Sequence, residues 1–173
     1  MRVELNRWKF WNPWRLFRPA TVLYLGEVIV ALTLAVVLLA TSNLEFPVAI
    51  PPFFCGLLAW TLAEYITHRF VLHSVATIQH GNHHANPQEP IDRIFWQIWL
   101  ALAVVYLMTG GTVLAGVLVA YAWYLSVHHC VHHKPGILPP FLLKHHLDHH
   151  KFARRNYGVT TRIWDRIFGT ILR

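Results

Sequence analysis

Charge is scarce in this chain. Of 173 residues only 13% are Asp, Glu, Lys or Arg, against 55% hydrophobic, which excludes a disordered tail and an ordinary soluble domain, where about a quarter of residues are charged. Cysteine is scarcer still. Cys55 and Cys130 are the two, too few for a disulfide framework, a four-thiolate iron–sulfur cluster or a zinc finger. The chain also lacks a G-x-G-x-x-G turn, an internal repeat of fixed period, a low-complexity tract and a flexible linker. Acidic residues number 8 against 15 basic ones, a formal balance of +7. In so apolar a chain this balance points to a membrane surface rather than to nucleic acid. One domain over residues 1–173 is expected from length. Histidine, by contrast, occurs 13 times.

The long apolar runs predict where the chain crosses a bilayer. Residues 20–40 carry one charge, Glu27, and at about 1.5 Å per residue they span roughly the 30 Å hydrocarbon core. A second apolar stretch, residues 48–63, has Pro51 and Pro52 near its start, where a helix tolerates missing N–H groups. Residues 94–127 contain no charge, and Gly110 and Gly111 lie near their middle. This predicts two arms of about 16 residues joined by a tight turn, each at or below the length needed to cross. The expected fold is therefore all-α and integral to the membrane, with about four transmembrane or near-spanning helices. Four crossings place every Lys and Arg on one side, because the connections at residues 43–46 and at Gly110-Gly111 contain none. That side, with both termini and a histidine-rich helical cap, is expected to be cytoplasmic. Residues 1–18 interleave Trp8, Trp11, Trp14 and Phe17 with Arg and Lys, the pattern of an interfacial arm. A signal peptide fits poorly, since no small-residue cleavage site follows the first span.

The histidines are spaced, not scattered. From His68 the order is H-x4-H, then six residues, then H-x2-HH; HHCVHH covers residues 128–133 and HHLDHH residues 145–150. On a helix, positions i, i+3 and i+4 project within about 100° of one another, so His80, His83 and His84 share a face, as do His146, His149 and His150. His128 and His132 repeat the one-turn spacing. A single histidine near a membrane boundary is ordinarily a packing residue, and a pH sensor needs one or two. Metal binding is the use that calls for this many. Neutral imidazole suits iron, zinc, copper and nickel, whereas magnesium and calcium want oxygen ligands. About ten candidate ligands imply two metals, more than one tetrahedral zinc uses. Bis-histidine haem needs two ligands mid-membrane and no repeated H-x2-HH.

The words AEYITHRFVLH, HGNHHANP, HHCVHHKPG and KHHLDHH, followed by NYGVTTRIWDRIFGT, resemble the fatty acid hydroxylase and sterol desaturase superfamily of membrane enzymes over residues 64–170. The resemblance implies a pair of iron ions held by His68, His73, His80, His83, His84, His128, His132, His146, His149 and His150, with zinc as a possible substitute. Third-box histidines are His128 and His132, following Tyr124; the equally spaced His129 and His133 are the alternative register, and His145 is left over. What the resemblance implies chemically is use of O2 and two electrons to hydroxylate, or to desaturate, a lipid C–H bond, with no catalytic residue beyond the metal centre. The substrate branch stays open. The six-residue gap between His73 and His80 looks like that of carotene ring hydroxylases, whereas EYITHRF, HGNHH and WDRIFGT look more like the fatty acyl, sphingolipid and sterol branches. Leu125 stands where fatty acid 2-hydroxylases commonly have Asp. Electrons are expected from a separate partner: a cytochrome b5, a ferredoxin or a reductase. A metal transporter or storage protein is the reading from another class, though transporters usually hold ligands within their spans.

Ligating imidazoles usually donate their second N–H to a carboxylate or carbonyl. Glu64 lies one turn before His68, Asp148 sits within the last box, and Asp165 belongs to the tail, so these three are the expected orienting groups. Glu27, alone in mid-span, is expected to line a lipid pocket or to be protonated. Arg154 and Arg155 are expected to meet anionic headgroups or an acidic electron donor.

Overall fold

A computed structural model describes residues 19–75, 77–88 and 95–172 of the chain. Its helices are α1 (Pro19–Ala40), α2 (Phe46–Ile66), α3 (Thr77–Ala85), α4 (Phe95–Thr109), α5 (Gly111–His133), α6 (Pro140–Lys151) and α7 (Ile163–Ile167). Helix α2 runs without a break into a π-helical turn, Thr67–Leu72, and a single 3-10 turn, Pro135–Ile137, separates α5 from α6. No strand occurs among the described residues. The interfacial arm expected at residues 1–18 lies outside them.

Among the described residues three helices are long and apolar enough to cross a membrane, Val22–Ala40, Phe46–Leu72 and Gly111–His133, and Trp96–Thr109 is a shorter apolar helix. The tight turn at Gly110 lies where the sequence predicts it, with Gly110 at φ 83°, a left-handed conformation that glycine adopts without steric cost. The second arm, however, is 23 residues long, not about 16. Its helix continues past the charge-free stretch through two pairs of histidines, so the arm reaches full spanning length and carries His128 and His132 out at its end.

Helix α5 is the axis of the bundle. It is buried along most of its length, and α1, α2 and α4 all pack on it. Small residues make this possible. A side-chain carbon on Gly56 would collide with the Val113 carbonyl, and one on Gly116 with the Phe53 carbonyl. Helices α2 and α5 therefore touch backbone to backbone, the close approach that small residues permit between membrane helices. Away from α5, α1 exposes Val22, Leu25, Ile29 and Val36, and α2 exposes Val48, Phe54 and Leu58. Apolar faces this extensive belong against lipid.

Glu27 does not stand alone in its span. Its carboxyl accepts hydrogen bonds from the Trp99 indole of α4, at 3.0 Å, and the Tyr121 hydroxyl of α5, at 3.2 Å. An acid within a span is costly unless partnered, and here it ties three helices together.

Candidate metal centre

Ten imidazoles converge in two groups at the end of the bundle. His68, His73, His80, His84 and His149 form the first, and His83, His128, His132, His146 and His150 the second; within each, one ring nitrogen per residue lies within 4.8 Å of all the others. These are the ten histidines that the resemblance implies as ligands. His129 and His133 stack on each other at 4.5 Å, with His129 against the ring of Tyr24, and belong to neither group. His145 also stands apart.

Local geometry explains the partition. In α3, His80 and His84 are one turn apart and enter the first group, while His83 between them turns to the second. In α6 the same H-x2-HH pattern works in reverse: His146 and His150 enter the second group and His149 the first. Each i, i+4 pair shares one centre and the i+3 residue serves the other, so the two short helices lie across both. His68 and His73 are five residues apart, which on an α-helix would set them about 140° apart at 100° per residue. The π turn removes that difference. The His73 N–H bonds to the His68 carbonyl at 3.3 Å, the i to i+5 pattern of a π-helix, and both rings join the first group.

The distances within the groups are those of ligands rather than of hydrogen-bonded rings. His80 Nε2 lies 3.0 Å from His68 Nε2, 3.1 Å from His73 Nε2 and 3.0 Å from His84 Nε2. One ring nitrogen has either one proton or one lone pair, so it cannot make three hydrogen bonds at once. Two nitrogens bound at right angles to one ion, each about 2.1 Å away, lie about 3.0 Å apart. In the second group His146 Nε2 is 3.1 Å from both His132 Nε2 and His150 Nε2, and His83 has both ring nitrogens buried with no hydrogen-bond partner among the described residues. The donor set thus fits a metal ion in each group.

Electrostatics prepares the same role. Burial, aided by neighbouring imidazoles, lowers the pKa of His80 and His83 to about 2, of His149 to about 3, and of His73 and His150 to about 4. Neutral rings with free lone pairs face each centre, and a metal has no proton to displace. Two rings of the first group have their tautomer fixed by backbone carbonyls: His68 Nδ1 donates to Tyr157, and His149 Nδ1 donates to Arg155 at 2.7 Å. Their Nε2 lone pairs are left for the centre.

None of the three carboxylates expected to orient ligating histidines bonds a ring of either group. Glu64 accepts from the Val159 N–H at 2.6 Å, the Thr160 N–H at 3.0 Å and the Thr160 hydroxyl at 2.6 Å. Being one turn before His68, it faces the C-terminal loop, whose unpaired N–H groups outbid an imidazole. Asp148 is half-buried and pairs with Lys144, one turn away. Asp165 does hold a histidine, but it is His145, at 3.0 Å, which lies outside both groups. Burial alone would raise the Asp165 carboxyl; bonds from His145, Thr170, Gly158 and Tyr157 keep it below the ordinary value. The carbonyls of Tyr157 and Arg155 were missed in the sequence because a backbone oxygen has no residue signature.

Residues 53–170 match the family model described as fatty acid hydroxylase. The chain belongs to that family. Among its relatives is the dihydroceramide fatty acyl 2-hydroxylase FAH2 of Arabidopsis thaliana, 32% identical over 154 residues that cover 76% of this chain and 65% of the relative. The fatty acid 2-hydroxylase of Homo sapiens is 32% identical over 78% of this chain and 44% of its own length. The solved structure of full-length scs7p, in which only the hydroxylase domain is visible, superposes with a TM-score of 0.68 at 29% identity, covering 89% of this chain and 66% of that one. This fatty acid hydroxylase family member thus spans between under half and about two thirds of the length of these relatives.

Proposed function

We propose that the chain hydroxylates a C–H bond of a fatty acyl or sphingolipid chain, using O2 and a pair of iron ions held by the two histidine groups. The observation that carries this reading is the convergence of ten imidazoles into two sets of five. Five nitrogen donors per centre exceed what a tetrahedral zinc site uses, and imidazole is a good ligand for iron. Relatives named for fatty acyl 2-hydroxylation support hydroxylation over desaturation. Iron bound there would supply the oxidising power that amino-acid side chains lack.

The chain's own residues do the rest. His68 and His149 present Nε2 because their Nδ1 protons are engaged by carbonyls. The ends of α2 and α5, with α3 and α6, hold both groups where the spans leave the bilayer, so an apolar chain reaches them without crossing water. The exposed basic residues Lys134, Lys144, Lys151, Arg154 and Arg155 favour the cytoplasmic side for this cap. They also suit an acidic, separate electron donor such as a cytochrome b5 or a ferredoxin.

Expression beside a redox donor in a host rich in varied lipids, with comparison of lipid masses, tests the proposal. A lipid that gains one oxygen is the expected product, and loss of two hydrogens would indicate desaturation instead. Unchanged lipids together with weakly held, exchangeable zinc would overturn it in favour of metal transport or storage.

A further inference from the structure

The first histidine group takes two backbone carbonyls from a loop that a buried carboxylate, Asp165, helps to fix. Asp165 is fully buried. Oδ1 accepts from the Tyr157 N–H at 2.8 Å and the Thr170 hydroxyl at 2.7 Å, and Oδ2 accepts from the Gly158 N–H at 2.8 Å and faces His145 Nε2 at 3.0 Å. The segment this fixes is the one whose carbonyls take the Nδ1 protons of His68 and His149. The far side is pinned too: the Asn156 N–H donates to the Thr170 carbonyl at 3.0 Å, and the Arg155 guanidinium donates to the Gly169 carbonyl at 3.0 Å. The Tyr157 ring lies against His68, His73 and His149. His68, His73 and His149 all belong to the first group, while His145, which Asp165 also holds, belongs to neither. In the second group His83, His146 and His150 bury Nδ1 atoms with no hydrogen-bond partner among the described residues, whereas in the first only His80 does.

We propose that Asp165 is a positioning residue for the first metal site alone, acting through the Tyr157 and Arg155 carbonyls, so that the two sites hold metal with different strength. The inference rests on the metal reading above. Partners of this kind, one step removed from the metal, ordinarily change affinity by about 10- to 100-fold. Asp165→Asn turns one acceptor oxygen into a donor facing donors, which frees residues 155–158 and lets His68 and His149 rotate.

The test uses the full chain in detergent, loaded with cobalt(II) and followed by visible absorption while a chelator competes. Wild type is expected to release two ions in two separate steps. In Asp165→Asn the tighter step weakens by about 10- to 100-fold and the other stays within twofold. Combination with His84→Ala, from the first group, adds less than the sum of the two losses, whereas combination with His83→Ala, from the second, is additive. Thr170→Val deletes one bond to the carboxylate without adding a donor, and weakens the same step by about 2- to 10-fold; it serves if the asparagine variant does not fold. Equal weakening of both steps, no change in either variant, or non-additivity with His83→Ala instead of His84→Ala overturns the assignment. A wild-type chain that takes up no cobalt overturns the metal reading itself, an outcome distinct from all of these.

Discussion

Replacing Gly116 by alanine tests whether the backbone contact between α2 and α5 positions the metal centre. The added carbon would lie 3.0 Å from the Phe53 carbonyl carbon and 3.0 Å from the Leu57 nitrogen, with the Phe53 carbonyl oxygen closer still. Carbon and carbonyl oxygen ordinarily approach to about 3.3 Å, and none of these blocking atoms can swing aside, because all are helix backbone. The helices must part by roughly 1 Å or more, and overpacking of this kind costs about 1–3 kcal/mol. Separation also reaches the site: α2 leads into His68 of the first group, and α5 carries His128 and His132 of the second. A misplacement of about 1 Å can cost about 100-fold in rate. Thermal unfolding in detergent, with metal content measured on the same sample, reads both effects. Gly26→Ala is the control. Gly26 lies exposed in α1 with open space around it, so alanine there should be neutral or stabilising by up to about 1 kcal/mol. If Gly116→Ala melts and retains metal as wild type does, the contact does not set the geometry.

Three further outcomes follow from the same geometry. His83→Ala and His84→Ala each remove one ligand from a different group; each should lower metal content and abolish lipid turnover, whereas Arg154→Ala should leave metal content unchanged, all read by elemental analysis of purified chain. Glu27→Leu strands the Trp99 and Tyr121 donors, each a loss of about 1–3 kcal/mol where buried; the melting temperature should fall while metal per folded molecule stays constant. Insertion of one alanine after Phe70 lengthens the His68 to His73 interval to six residues, about 240° of α-helix. Metal should then be lost from the first group, and cobalt absorption showing both sites intact would contradict the role given to the π turn.

What the sequence made legible was the chemistry carried by side chains with periodic spacing. Apolar runs gave the spans, and the Gly110-Gly111 pair gave the turn, because membrane length and backbone freedom act locally. H-x2-HH puts three rings on one helical face, which made six of the ten histidines stand out, and the family resemblance supplied the other four. Their division between two centres was not legible, since it depends on α3 and α6 each lying across both centres, a relation between elements far apart in sequence. The H-x4-H interval did carry a readable signal. Five residues do not close an α-helical turn, so two rings at that spacing share a centre only if the helix widens, and the π turn at Thr67–Leu72 is that widening.

The carboxylates were misjudged for a related reason. Proximity in sequence favoured Glu64 for His68 and Asp148 for its neighbours, yet the groups that orient His68 and His149 are carbonyls of Tyr157 and Arg155. A carboxylate or a carbonyl can accept the Nδ1 proton of a ligating imidazole, and here the carbonyls of the C-terminal loop are the acceptors within reach. Glu64 and Asp165 then act one layer further out, each collecting backbone N–H groups of the loop that supplies those carbonyls. Because Glu64 stands on α2 and Asp165 on α7, the loop is clamped from both sides. Thus the NYGVTTRIWDRIFGT tail, which contributes no ligand, is tied to the first histidine group as closely as the boxes are.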